Sequence, residues 1–177
     1  MEDSRQLEVS DTVPAPPEQV FALLADPARH TELDGAGMLR GLVSGPSSIT
    51  AVGDTFVMDM NQDGLGDYRM SNEVVDFELN RRIAWAPSPH PPGALKEITG
   101  DMDPSGHTYS WELEPTAEGG TRVTHVYDWS GVRDERALDI YPRVSEEQMA
   151  GTISRIAEAT DSVRRNPTAA AETGGTG

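Results

Sequence analysis

The chain has 177 residues, which fits one domain with a core large enough to need no disulfide staple. It holds no cysteine, which excludes thiol catalysis, thiolate metal sites and a disulfide framework. Thirty acidic residues face fourteen basic ones, a formal charge of −16 with no basic stripe to interrupt it, so nucleic acid and anionic lipid surfaces are not expected partners.

Leu7, Val9 and Val13 alternate with Glu8, Ser10 and Thr12, the period of a first strand. Pro14 ends it. Pro16 and Pro17 then stand at the first turn of a helix whose apolar face is Val20, Phe21, Leu23 and Leu24. Asp26-Pro27 is an N-cap and N1 pair that opens a second short helix, closed by Gly35 and Gly37. Strands follow. Met38–Ser44 is one, and the turn Gly45-Pro46 ends it. In Thr55–Asn61, Phe56, Met58 and Met60 share a face, and a hairpin turn around Asp63–Asp67 leads into Tyr68–Leu79. The alternation of that strand slips near Val74-Val75, which predicts a bulge.

Asn80-Arg81 turns into Arg82–Ala86, with Ile83 and Trp85 on one face. Pro87–Gly106 is rich in proline and glycine and has no period. It reads equally as a functional connection or as a mobile excursion with one short strand inside. In His107–Glu114 the face is His107, Tyr109, Trp111 and Leu113. In Thr121–Ser130 it is Val123, His125, Tyr127 and Trp129.

Ser145–Arg165 reads as a long amphipathic helix opened by a Ser145-x-x-Gln148 capping box. Ile153, Ile156, Thr160 and Val163 form its stripe, with Met149, Ala150 and Ala157 beside them, while Glu146, Glu147, Arg155, Glu158, Asp161 and Arg164 face away. One long helix after a run of antiparallel strands needs a sheet to bury against. Residues 1–166 are expected to form the domain, and 167–177 a disordered tail. Residues 1–8 carry charge and no apolar stretch, and no run approaches the ~18 apolar residues of a membrane span. A cytoplasmic protein is expected, monomeric or homodimeric.

Three phrases carry a family resemblance. They are Val13-Pro14-Ala15-Pro16-Pro17-Glu18-Gln19-Val20-Phe21-Ala22-Leu23-Leu24-Ala25-Asp26-Pro27, Arg81-Arg82-Ile83-Ala84-Trp85, and Gly120-Thr121-Arg122-Val123-Thr124. With the order strand, two helices, strands, long helix, they make the chain resemble the START-like helix-grip superfamily in its bacterial polyketide cyclase/dehydrase branch (SRPBCC). The resemblance implies an α+β helix-grip fold: a curved antiparallel sheet of about seven strands around the C-terminal helix, with an apolar cavity between them. It implies a hydrophobic small-molecule partner, a polyketide, an aromatic or a lipid-like compound, and no cofactor. It carries over no catalytic set, because members include carriers, receptors and cyclases. Family members often have Trp before Asp-Gly after the second helix; Leu33 stands there in this chain, which alters the expected pocket mouth.

The large side chains expected to face the helix are Met58, Met60, Tyr68, Met70, Trp85, Tyr109, Trp111, His125 and Tyr127. Methionine adapts to irregular shapes, and tyrosine and tryptophan add a polar handle to a large apolar surface, so the set suits a ligand pocket. Each alone reads first as plain core packing; it is the set, given the fold, that points to a cavity. His125 and Tyr127 share one strand face and are the catalytic candidates: a base that titrates near neutrality and a phenol that could hold an enolate, as ring closure requires; the plainer reading is a satisfied histidine in a sheet, since acid–base chemistry needs a placement that sequence does not show. Three functions stay open: a cofactor-free polyketide cyclase/dehydrase, a non-catalytic carrier or sensor of a lipid or aromatic metabolite, and an interaction module without a ligand.

Asp101, Asp103, Ser105, Gly106 and Glu112 fall on the spacing of a calcium loop, but Tyr109, Trp111 and Leu113 alternate as a strand where that loop needs a helix. No metal site is expected. His30, His90, His107 and His125 show no paired ligand spacing, and neither a nucleophile elbow nor a nucleotide-binding glycine motif is present.

Overall fold

A computed structural model describes residues 4–165, with side chains to Asp161. The expected tail lies outside the described residues, and the faces expected of Val163 and Arg164 lie outside the described side chains.

Seven strands form one antiparallel sheet in the order β1-β7-β6-β5-β4-β3-β2. They are β1 (Gln6–Val13), β2 (Leu39–Ser44), β3 (Thr55–Gln62), β4 (Gly66–Glu78), β5 (Arg82–Pro89), β6 (Thr108–Pro115) and β7 (Thr121–Asp128). After β1 comes α1 (Pro17–Leu24), then a 3-10 turn (Pro27–Arg29) that runs into α2 (His30–Leu33). A single helical turn, α3 (Lys96–Thr99), lies between β5 and β6, and a 3-10 segment (Glu135–Ile140) precedes α4 (Glu146–Arg165). The helix-grip architecture expected from the sequence is the one observed.

The long helix starts where its capping box says. Gln148 N donates to Ser145 Oγ at 3.1 Å, and Ser145 N donates back to Gln148 Oε1 at 2.9 Å. Met149, Ile153, Ile156 and Thr160 are buried along one stripe. Ala150, expected beside them, is exposed instead: it falls just past the edge of that stripe. Thr160 sits on the buried face because its hydroxyl returns to the helix, donating toward the carbonyls of Ile156 and Ala157. The helix packs on β1, α1 and α2. Its approach to the α2 end is close enough to require glycine: a Cβ on Gly35 would stand 2.3 Å from Gln148 O, a backbone atom that cannot turn aside.

The expected bulge is at Val75. Against β5 the register steps from Val74↔Trp85 to Asp76↔Ala84, so Val75 is the extra residue. Before the step Tyr68, Met70, Asn72 and Val74 share the inner face; after it Phe77 does. The bulge re-phases the strand, and Tyr68 and Met70 therefore keep the face their position implied. Among the described residues no helix is long and apolar enough to cross a membrane.

Candidate functional site

Strand pairing brings the inner-face residues into rows. Trp85, Tyr109, Tyr127 and Leu7 stand side by side across β5, β6, β7 and β1. The next row is Ile83, Trp111, His125 and Val9. On the other half of the sheet Met58 pairs with Met70, and Met60 with Tyr68. A cavity of about 510 Å³ lies over these rows, within the size range of small-molecule sites. All nine side chains selected from the strand pattern contribute to its wall.

They do so at two depths. Met60, Tyr68, Met70, Trp85 and Tyr109 keep some exposed surface. Met58, Trp111, His125 and Tyr127 are almost wholly covered, between 0 % and 5 % exposed. The two catalytic candidates thus belong to the deeper layer. His125 lies flat on Trp111, ring centroids 3.6 Å apart, and its Nδ1–H donates to the Ser110 carbonyl at 3.0 Å. That bond leaves Nε2 as the acceptor of a neutral ring. Burial pulls its pKa down to about 4, against the smaller opposing pull of the Ser110 carbonyl. A base that weak is poorly matched to taking a proton from carbon near neutral pH. The pKa of Tyr127 is raised, chiefly by burial, and its oxygen accepts the Arg143 backbone N–H at 3.4 Å.

Strand pattern alone missed three parts of the wall. The first is Leu33, Asp34 and Ala36, at the end of α2; Leu33 stands where the resemblance led one to expect Trp. Asp34 accepts from the backbone N–H groups of Ala36, Met38 and Leu39, which fixes the turn into β2. The second is the segment from Leu95 to Ser105. Leu95, Ile98, Thr99, Met102 and Pro104 all line the cavity, so this long connection covers the space and is not a free excursion. It holds a helical turn and not the short strand that the excursion reading allowed, since the N–H groups of Ile98, Thr99 and Gly100 bond back to Leu95 and Lys96 carbonyls. The third is Tyr141 and Arg143, in a stretch without period.

Two anchors hold the cover. Arg136 pairs with Asp134 at 2.8 Å and donates to the Asp101 carbonyl at 3.1 Å, while Asp103 N donates to Asp134 at 3.0 Å. Tyr141 is the other: its O–H donates to the Pro104 carbonyl and its oxygen accepts from His107 Nδ1 at 2.9 Å. Gly106 is obligatory between the anchors, with φ +119° and a Cβ position only 2.4 Å from Gly131 O. Tyr141→Phe removes both bonds of the second anchor and costs about 1–3 kcal/mol. Hydrogen exchange should then quicken at Lys96–Met102 and stay unchanged in β6 and β7; equal protection in the two proteins would refute the anchor.

Of the residues on the calcium-loop spacing, Glu112 lies on β6 and the Asp103 carboxylate is engaged by Ser105 N and Oγ. Among the described residues no three His, Asp or Glu side chains gather as a metal ion would need.

The sequence model of the "Activator of Hsp90 ATPase homolog 1-like protein" family matches residues 14–159. A Mycobacterium tuberculosis protein, the uncharacterized Rv0088, is 34% identical over 126 residues, 71% of this chain and 46% of that protein. The chain thus spans about half the length of the curated relatives it matches. Among solved structures, Ms6760 of Mycobacterium smegmatis has the same fold at TM-score 0.64 and 15% identity, covering 91% of this chain and 94% of that one. DynU16, described as a putative protein in the dynemicin biosynthetic locus, aligns at TM-score 0.56 and 19% identity, over 90% of this chain and 48% of its own.

Proposed function

The chain belongs to the Activator of Hsp90 ATPase homolog 1-like family, within the START-like superfamily, and from that premise we propose that it binds one hydrophobic small molecule in the covered cavity between sheet and helix. The observation that carries this reading is the space itself. Evolution fills cores to near-crystalline density, and an apolar void lined by methionine and aromatic side chains forfeits contact energy unless a ligand restores it. Met60, Met70, Trp85 and Tyr109 offer the apolar surface.

Between the two ligand-binding functions, carriage or sensing is favoured over cyclase chemistry. Its support is the setting of His125, whose ring is flat on Trp111 and whose pKa lies far below neutrality. The neutral dye N-phenyl-1-naphthylamine should bind the folded protein one to one. Met70→Trp narrows the space from a wall position that retains exposed surface, and should weaken the dye about tenfold with the far-ultraviolet circular dichroism unchanged. A protein that binds no dye, or binds it equally well after Met70→Trp, contradicts the cavity reading. A turnover found on any polyketide-like substrate, and lost in His125→Gln, would reinstate the cyclase.

A further inference from the structure

The charge inside the cavity is uneven. Among the described residues its wall contains one cationic side chain, Arg143, and one carboxylate, Asp34. Asp34 is engaged by three backbone N–H donors. Arg143 is half-buried, and among the described residues its guanidinium has no ion pair and no hydrogen bond. A guanidinium in a chain of net charge −16 has carboxylates to choose from, yet this one is turned to a wall of phenols. Tyr68, Tyr127 and Tyr141 all feel its charge. The phenols are neutral at physiological pH, since burial raises each of them, so they do not neutralise it.

We propose that Arg143 receives a carboxylate: the ligand is an amphiphilic monoanion, an apolar body in the methionine and aromatic part of the cavity ending in a carboxylate at the Arg143 guanidinium, beside the Tyr68 and Tyr141 hydroxyls. This rests on the cavity reading above and names its ligand class. A planar guanidinium in a partly desolvated wall presents paired donors that match a carboxylate. One cation suits a single charge; a phosphate dianion would keep an excess charge in an apolar space that already holds Asp34.

The test uses two competitors of equal chain length against bound N-phenyl-1-naphthylamine, dodecanoate and dodecan-1-ol. Dodecanoate should displace the dye at a concentration on the order of tenfold or more below that of dodecanol, the worth of one charge-assisted pair. Arg143→Gln should bring the two competitors to within about twofold of each other, and Arg143→Lys should restore part of the preference. Arg133→Gln, at an exposed arginine outside the cavity wall, should keep the full preference. Equal displacement by the two competitors in the native protein overturns the assignment while leaving the cavity reading intact. So does a preference that survives Arg143→Gln. If the dye itself fails to bind, the cavity reading falls and this assignment falls with it.

Discussion

Ile156→Asp lowers the stability of the domain by at least ~3 kcal/mol. Ile156 has no exposed surface, and Ile153 beside it is 2 % exposed. The stripe they form meets the core residues of β1, α1 and the inner sheet face, none of which offers a partner for a carboxylate. The substituted residue must either bury an unpaired charge or take up a proton at a strongly raised pKa, and both cost free energy. Against a total of roughly 5–15 kcal/mol for a domain of this kind, the loss leaves a small margin. Ser154→Asp is the control: Ser154 is exposed on the same helix, and its hydroxyl only returns to the Ala150 carbonyl. Urea unfolding should show a large drop in midpoint for the first variant and almost none for the second. Equal midpoints would mean that α4 does not bury this stripe.

Acidification from pH 7.5 to pH 5 removes about 4 kcal/mol through two histidines. Burial holds His107 and His125 at a pKa of about 4 in the fold, against an ordinary value of 6.5. A histidine whose folded pKa is lowered binds more protons when unfolded. Its contribution is complete above the unfolded value, falls as pH drops through 6.5, and is exhausted near the folded value. At pH 5 each of the two has lost about 2 kcal/mol, and His30, also lowered by burial, adds in the same direction.

The carboxylates act in a different window. Asp54 and Asp134 are lowered by hydrogen bonds from their neighbours, so their contribution is present above about 3.8 and is lost only as pH falls further. The fall between pH 7.5 and 5 therefore belongs to the histidines. Urea midpoints across that range measure it, and His125→Gln should flatten the slope by somewhat less than half, since His107 and His30 remain. A stability that is level from 7.5 to 5 would show that these imidazoles are not held neutral by the fold.

The carboxylate preference assigned to Arg143 bears on the same range. Dodecanoate is a simple aliphatic carboxylate and is only about half ionised at pH 5, so its preference over dodecanol should shrink about twofold there relative to pH 7.5. The exposed ion pairs of the sheet, Arg69 with Asp59 and Arg82 with Asp76, contribute little to either measurement, because solvent screens them.

Local chemistry was legible in the chain itself. The capping box at Ser145 and Gln148, the bulge at Val75 and the alternation of Met58, Met60, Tyr109, Trp111, His125 and Tyr127 are consequences of nearest-neighbour geometry, and a period of 2 or 3.6 writes them directly into the sequence. The fold followed, because one amphipathic helix and strands with a single apolar face have few ways to cover each other.

Depth and company were decided only in three dimensions. An inward-facing Tyr109 or Met70 has the same pattern whether it meets a packed neighbour or an open space, so the cavity could be expected but not read. His125 looked like a base of ordinary strength, and it is the stack on Trp111 and the cover of the surrounding wall that weaken it. Arg143, Tyr141 and the Leu95–Met102 cover sit in segments without period. Nothing local places them; the Tyr141 bond to Pro104, the Arg136–Asp134 pair and the close passage of Gly106 past Gly131 do, each a contact between residues more than twenty positions apart or held by one. The sequence by itself therefore determined the sheet, the helix and the inner face, because those rest on periodicity. The tertiary structure decided which of those side chains border a void, what closes over it and where the Arg143 guanidinium stands in its wall, because those depend on long-range packing that no local pattern encodes.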